Sequence, residues 1–357
     1  VKHILYITTN IMGSGGVSRI LSVKLNYLVE TFNYKITILN SNTIGDTPFY
    51  SFNPKIKFYF LRSKKFFQYK IELNQIIDKI SPDIIVNCDN GLKGALLPYL
   101  MDLKTPLIYE RHCSKDIRAV SYSDKIKFKI AVFLLEKSIN KYKEFVVLNE
   151  HESKVWKGRN IKIIPNPLCV EVNQQKRVDN SKIAIAVGRH SHEKRYDKLI
   201  AIWTKVVEKY PDWVLKIYGE HSDIIDLQSI INRFNLQENI QLYDPINEIE
   251  EIYSQANMFL ITSESESFGL VIIEAMAFGI PVIGYGSTSG TETLIEDAKT
   301  GFLVKKDDAK GYVEKIIALI ESPKLGREIG GHAKKSLQKF DLNNIMSLWN
   351  KLFNSYF

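Results

Sequence analysis

Cysteine is scarce: Cys88, Cys113 and Cys169 are the only three in 357 residues, far apart and with no Cys-x-x-Cys. An odd, dispersed set excludes a disulfide framework and a zinc knuckle, and it fits a reducing compartment. No apolar run approaches the ~20 residues that span a bilayer. The stretch Val1–Thr8 is too short and interrupted for a signal-peptide core and reads as a first buried strand, so a cytoplasmic protein is expected. The dinucleotide fingerprint Gly-x-Gly-x-x-Gly is also missing. In the loop Asn10–Arg19 its third glycine position, counted from Gly13, is Ser18, and the second strand ends in Asn40, Ser41 and Asn42 rather than an acid. A dehydrogenase reading is weakened accordingly.

What is present is an ordinary globular composition, 45% hydrophobic and 25% charged, in a chain long enough for two cores. Strand-like runs alternate with helix-length segments: Ile4–Thr8, Lys35–Leu39, Lys57–Phe60, Ile84–Asn87, Leu107–Glu110 and Phe145–Leu148, then Lys182–Val187, Val214–Tyr218, Ile240–Tyr243, Met258–Thr262, Pro281–Gly284 and Phe302–Val304. This predicts an α/β protein with two Rossmann-like, doubly wound parallel-sheet domains facing a central cleft. The domains are placed at 1–166 and 167–340, with a polar linker from Asn166 and Pro167 to about Asp179. A last helix over 341–357 carries Ile345, Leu348, Trp349, Leu352 and Phe353 at helical spacing and is expected to pack back on the first domain.

Charge is uneven. Residues 1–170 hold 26 Lys and Arg against 14 Asp and Glu, a net +12 that leaves −4 for the remainder. The excess peaks at Lys115, Arg118, Lys125, Lys127, Lys129, Lys137, Lys141 and Lys143. Such a cluster suits anionic lipid, nucleic acid or an anionic substrate, or is simply a solvated helix face.

Four segments carry candidate chemistry. In Ser263–Met276 a strand ends, a polar loop follows, and a helix starts near Phe268 and Gly269. Such a helix mouth offers backbone N–H donors to anionic or hydroxyl-rich ligands. Glu266 and Glu274, eight residues apart, put one carboxylate in the loop and one on the helix; alone they read equally as a cap and a surface Glu. In Val187–Asp197 a strand ends at Gly188 and delivers Arg189 and Lys194, a bidentate cation and a compact one that together suit a diphosphate. His190 and His192 form a His-x-His pair with no third ligand at a suitable spacing, so no metal site is expected. Gly15 and Gly16 follow the first strand, where glycine permits positive φ and close approach to phosphate. His112 directly follows a strand, where active-site loops belong.

Glu266 and Glu274 with Phe268 and Gly269 after the first, the Gly279-Ile280-Pro281-Val282 strand, Gly290-Thr291-Glu292 and Thr300–Val304 resemble the donor-binding core of retaining GT-B glycosyltransferases, most closely family 4 of the bacterial polysaccharide and lipopolysaccharide type. Gly188-Arg189 with Glu193-Lys194 resembles the same family, as does the Gly15-Gly16 loop. Near His112 the chain departs from it: Arg111 stands directly before the His, and Glu110 one place earlier.

The resemblance implies transfer of a hexose or N-acetylhexosamine from a nucleotide diphosphate sugar, UDP preferred, to a glycan or lipid-linked glycan in cell-surface polysaccharide synthesis. It implies retention at the anomeric carbon, with the nucleotide sugar as substrate and neither cofactor nor metal. The implied catalytic residues are His112, Arg189, Lys194 and Glu266. The implied donor-binding residues are Gly15, Gly16, Arg189, Lys194, Glu266, Ser267, Phe268, Gly269, Leu270 and Glu274, with base contacts from backbone around Tyr243–Ile246. A GDP-sugar-dependent mannosyltransferase, a nucleotide-sugar epimerase or a phosphorylase-like enzyme of the same fold, and a non-catalytic binder, are the alternatives. The lysines around Phe128, Val132, Phe133 and Leu135 suit a helix on anionic lipid, so peripheral association with the inner membrane face is expected, and nucleic acid is not.

Overall fold

The computed structural model describes residues 1–41, 47–63, 65–101, 104–115, 122–170, 181–222 and 224–357, without the side chains of 122–125 and 127. They form two compact units: residues 1–115, 122–167 and 342–357 in one, and residues 168–341 in the other. Most of the proline-marked linker, residues 171–180, lies outside the described residues.

The first unit runs β1 (His3–Thr8), α1 (Gly16–Glu30), β2 (Lys35–Asn40), β3 (Lys57–Phe60), α2 (Phe66–Ile80), β4 (Ile84–Asn87), α3 (Leu92–Leu100), β5 (Leu107–Glu110), α4 (Tyr122–Ser138), β6 (Glu144–Val147), α5 (Glu150–Val155) and β7 (Ile161–Ile163). Its sheet is parallel in the order β3-β2-β1-β4-β5-β6-β7. Ile4, Leu5, Tyr6 and Ile7 are all buried because helices cover both sheet faces, which is why the strand reads as a continuous apolar run. Leu21, Leu25 and Leu28 of α1 build one core with Trp349 and Phe353. Tyr69, Leu73, Leu97, Leu135 and Trp156 build the other.

The second unit runs β8 (Ile183–Val187), α6 (Tyr196–Val207), β9 (Val214–Tyr218), α7 (Leu227–Arg233), β10 (Ile240–Tyr243), α8 (Ile249–Ser254), β11 (Met258–Ile261), α9 (Leu270–Ala277), β12 (Val282–Tyr285), α10 (Ser289–Leu294), β13 (Gly301–Val304), α11 (Ala309–Glu321) and α12 (Pro323–Lys335). Its parallel order is β10-β9-β8-β11-β12-β13. Asp226, Thr288, Asp308 and Ser322 cap the N-termini of α7, α10, α11 and α12 with side-chain oxygens. Both units are thus Rossmann-like parallel sheets, as the alternation of strands and helices predicts.

The final helix, α13 (Leu342–Asn354), belongs to the first unit. Its buried stripe is Ile345, Met346, Trp349 and Phe353, while Leu348 is 45% exposed. The helical phase therefore turns Met346 inward where sequence spacing placed Leu348.

Candidate active site

In the second unit the strand order reverses between β8 and β11, and ligands bind outside the carboxyl ends of strands at such a point. The β8 exit is fixed by Tyr196, whose hydroxyl donates to the Gly188 carbonyl at 3.1 Å. His192–Lys194 make a single 3-10 turn, and Arg195 adopts a left-handed conformation (φ 52°) before α6 begins. From this turn the Lys194 ammonium donates to Oε1 of Glu266, the two side chains only 16% and 11% exposed. Arg189 instead projects into solvent and donates to Glu193 Oε1 at 3.2 Å.

The loop after β11 is bonded to the loop after β8 along its length. Thr262 Oγ1 donates to the carbonyls of Lys194 (2.9 Å) and Arg195 (3.1 Å), and Glu264 N donates to the Glu193 carbonyl at 2.8 Å. The Arg195 guanidinium bridges Glu264 and Asp197. From the start of α10, Gly290 N donates to the Glu266 carbonyl at 2.8 Å, and Ser289 Oγ donates to it at 3.1 Å and reaches the Ser267 carbonyl at 3.5 Å. A Cβ at Gly290 would lie 2.7 Å from the Phe268 carbonyl oxygen, so this approach requires glycine.

Phe268 is buried edge-on against Phe340, ring centroids 5.4 Å apart, so it contributes its backbone and anchors the loop. Gly269 caps α9 in the left-handed region (φ 87°), and Leu270 opens the helix. Glu274 is no surface side chain. It is 2% exposed, and the Tyr253 hydroxyl donates to its Oε2 at 3.1 Å. Tyr253 is itself stacked on Phe278 (5.5 Å, 15°). His190, also buried, packs edge-on against His221 (4.7 Å) and Tyr196 (5.8 Å). Burial, helped by the neighbouring His221, pushes its pKa down to about 4, so the ring is neutral near pH 7.

In the first unit Gly15 caps α1 with φ −72° and Gly16 is its first residue. Positive φ is therefore not the reason for glycine at Gly15. A Cβ there would meet nothing within 4 Å, so the glycine leaves open space over the helix start. Ser18, at the third position of the glycine loop, donates to the Asn10 carbonyl at 2.9 Å, and Asn10 Oδ1 accepts from Met12 N (3.1 Å) and Gly13 N (3.2 Å).

His112 is buried beside Glu110, its Nε2 3.3 Å from Glu110 Oε1. The same carboxylate is bonded by Lys24, and both members of that pair are buried. Cys88 Sγ lies 3.6 Å from Oε2. Burial works to raise the Glu110 pKa, but Lys24 and then His112 outweigh it and hold the carboxyl at about 2. Arg111 is turned elsewhere: it donates to the carbonyls of Asn90 and Cys113, both at 3.0 Å, and lies over the Trp156 ring at 5.3 Å. Thus Glu110, not Arg111, stands beside the histidine.

Of the basic cluster, Lys115 is drawn inward, bonded to Glu136 and to the Val155 carbonyl. Lys129 and Lys137 are exposed, while Arg118 and the side chains of Lys125 and Lys127 lie outside the described residues. On α4 the exposed apolar stripe is Ile126, Ile130 and Phe133. Leu135, expected on the lipid-facing side, is buried in the core, and Val132 packs against that core. Among the described residues no helix is long and apolar enough to cross a membrane.

Residues 171–336, the segment that carries Arg189, Lys194, Glu266 and Glu274, match the family described as Glycosyl transferases group 1. The second unit is a glycosyltransferase group 1 domain. Nearly the whole chain is similar to two bacterial proteins at 24% identity: an uncharacterized glycosyltransferase of Haemophilus influenzae (98% of this chain, 99% of the relative) and the amylovoran biosynthesis glycosyltransferase AmsD of Erwinia amylovora (98% and 99%). The fold is similar to that of S. aureus TarM, solved as a point mutant with fondaparinux, alpha-GlcNAc-glycerol and UDP, at a TM-score of 0.83 and 16% identity over 99% of this chain and 100% of that one. The chain is an enzyme of the glycosyltransferase class with the GT-B fold.

Several residues around the group 1 domain's switch point and the first unit's strand ends escape sequence reading. Tyr253 gives no signal, since it sits on a short helix with an ordinary apolar face. Lys24 gives one: it interrupts the buried stripe Ile20, Leu21, Leu25 and Leu28 of α1, where a lysine must find a buried partner. Trp349 lies over that lysine, its ring centroid 3.7 Å from Nζ, and no sequence feature relates the two.

Proposed function

We propose that the chain is a retaining, family 4 hexosyltransferase that moves a hexose or N-acetylhexosamine from a UDP-sugar to a glycan or lipid-linked glycan of a cell-surface polysaccharide. The observation that carries this reading is the paired Lys194 and Glu266, with Glu274 buried nearby in sequence on α9, in a group 1 domain. UDP in the TarM complex and the amylovoran role of AmsD point to the donor and acceptor classes.

In the proposed reaction the acceptor hydroxyl attacks the anomeric carbon on the face from which the diphosphate leaves. The C–O bond to phosphate breaks, and the departing phosphate oxygen takes the acceptor's proton. The protein's task is orientation and charge stabilisation. Arg189 and Lys194 neutralise the diphosphate, which requires Lys194 to exchange its carboxylate partner for phosphate, and no metal is invoked. Glu266 and the N–H groups of Phe268 and Gly269 hold sugar hydroxyls, with Ser267 and Leu270 framing them. Glu274 accepts the ribose hydroxyls, and Gly15, Gly16 and His112 serve the donor from the first unit. The lysine-flanked stripe Ile126, Ile130 and Phe133 supports peripheral binding to an anionic membrane surface on the cytoplasmic side.

A panel of UDP- and GDP-sugars assayed for hydrolysis, with calorimetric titration of both diphosphates, tests the reading. UDP binding with slow hydrolysis of one UDP-sugar is the expected result. Tighter GDP binding supports the mannosyltransferase alternative, and conversion of the donor to an epimer without acceptor supports the epimerase. Binding of neither nucleotide overturns the proposal.

A further inference from the structure

The carboxyl edge of the first unit's sheet holds a buried group of charges that the reaction outlined above does not use. Glu110 is the last residue of β5, Cys88 follows β4, and Lys24 lies on α1. Lys24 and Glu110 are 0% and 1% exposed. An isolated ammonium or carboxylate at that depth costs several kcal/mol, so each is there because of the other. The ammonium also rests on the Trp349 face, 3.7 Å from the ring centroid, which supplies a second, desolvated electrostatic partner. Lys24 therefore fixes the direction of the Glu110 carboxylate through Oε1, the same oxygen that faces His112, while Oε2 faces Cys88. The same carboxylate stands 3.3 Å from His112 Nε2.

In a neutral imidazole, a carboxylate beside one nitrogen selects that nitrogen to carry the proton, because an acceptor-only group favours N–H over a lone pair. The other nitrogen is then an acceptor. Cys88, Glu110 and His112 also place ligand atoms within 4.8 Å of one another, an arrangement that can suit a soft metal ion. Lys24 already occupies the carboxylate with a fixed cation of its own, so the cluster is complete in charge without an ion.

We propose that Glu110, fixed by Lys24, which rests on Trp349, is a positioning residue for His112: its Oε1, 3.3 Å from Nε2, draws the ring proton to that nitrogen and so keeps Nδ1 as the acceptor. The consequence rests on the reading of His112 as a donor-sugar contact, where an Nδ1 lone pair accepts a hydrogen bond from a sugar hydroxyl. The orientation itself does not depend on that reading.

Nitrogen-15 NMR of the histidine rings in the full chain, with His112 assigned from a His112→Asn variant, reads the tautomer directly. The expected result is an Nε2-protonated ring in the unsubstituted protein. An Nδ1-protonated ring overturns the proposal whatever the enzyme's activity. Lys24→Met with Glu110→Leu removes both charges together, so the core is not left with an unpaired ion. Melting temperature checks its fold. This variant is expected to give a tautomer mixture and to lower kcat by about 10–100-fold, by analogy with removal of the partner that orients a metal-bound imidazole. Lys24→Arg, which keeps the cation, is expected to retain the tautomer. A folded double variant with the original tautomer and kcat within about twofold of the parent overturns the proposal. Stoichiometric zinc in the purified protein, lost in Cys88→Ser, overturns it in favour of a metal site. If the tautomer behaves as proposed but His112→Asn turns over normally, the donor-contact reading fails while the positioning role stands.

Discussion

The ammonium of Lys194 and the carboxylate of Glu266 are bonded to each other across 72 positions of sequence. Each side chain is more than four-fifths buried. A cation held this way is pre-placed, and it can meet a diphosphate only by sharing or leaving its carboxylate. Lys194→Ala is expected to lower kcat about 100-fold, as loss of one charge-stabilising donor does. The double variant Lys194→Ala with Glu266→Ala should be less impaired than the product of the two single effects, because the pair acts as a unit. Steady-state turnover of all four proteins measures this, and strict multiplicativity would refute the coupling.

Tyr253 holds Glu274 by one hydrogen bond while its ring stacks on Phe278. Tyr253→Phe keeps the ring and removes the bond, a loss of about 1 kcal/mol. If Glu274 serves the ribose, UDP binding weakens by about fivefold with kcat at saturation little changed. Titration calorimetry against UDP and against 2′,3′-dideoxy-UDP checks this, since the second ligand should not sense the substitution.

Stability toward acid is expected to fall in two stages. The His190 pKa is lowered to about 4 from 6.5, so the unfolded chain binds its proton first. The associated stability is complete above pH 6.5 and disappears as pH falls to 4. Glu110, lowered to about 2 from 4.5, contributes stability that is complete above pH 4.5 and disappears as pH falls to 2, on the order of 3 kcal/mol. Melting curves from pH 8 to 2 should show both stages. His190→Asn should flatten the first and leave the second.

Gly269 is the one position in the β11–α9 turn where φ is left-handed, at 87°, and a Cβ there would sit 2.7 Å from Ile272 Cδ1. Gly269→Ala is expected to cost about 1–2 kcal/mol of stability and to weaken donor binding through the displaced N–H. Thermal melts with and without UDP separate the two effects.

Ile130 and Phe133 are 48% and 57% exposed on α4, beside Lys129 and Lys137. Ile130→Ser with Phe133→Ser should abolish flotation with anionic liposomes while leaving UDP binding unchanged. Flotation of the parent should fall with salt, since each lysine near the surface contributes about 1 kcal/mol that is screened. No flotation of the parent at low salt would refute the membrane surface as a partner.

Much of the fold was legible because parallel strands covered on both faces read as continuous apolar runs, as Ile84–Asn87 and Met258–Ile261 do. The short edge strand Ile161–Ile163 was not, since it is half exposed and only three residues long. At the candidate site, spacing brought Glu266 and Glu274 to notice. It could not show that Glu274 is buried under Tyr253, or that Arg189 and Lys194 have different carboxylate partners. Those facts arise where loops from different strands meet, and local periodicity carries no information about such meetings. Lys24 is the instructive case: its place in an apolar stripe announces a buried partner, but only the sheet order identifies that partner as Glu110.

Helix α13 belongs with the first unit although it follows the second in the chain, and its Trp349 covers Lys24. During synthesis the first 167 residues leave the ribosome without this helix, and they wait for some 175 more before it arrives. The described part of the second unit, by contrast, lies wholly between residues 168 and 341. Its core can therefore close before the first unit receives the helix that covers Lys24.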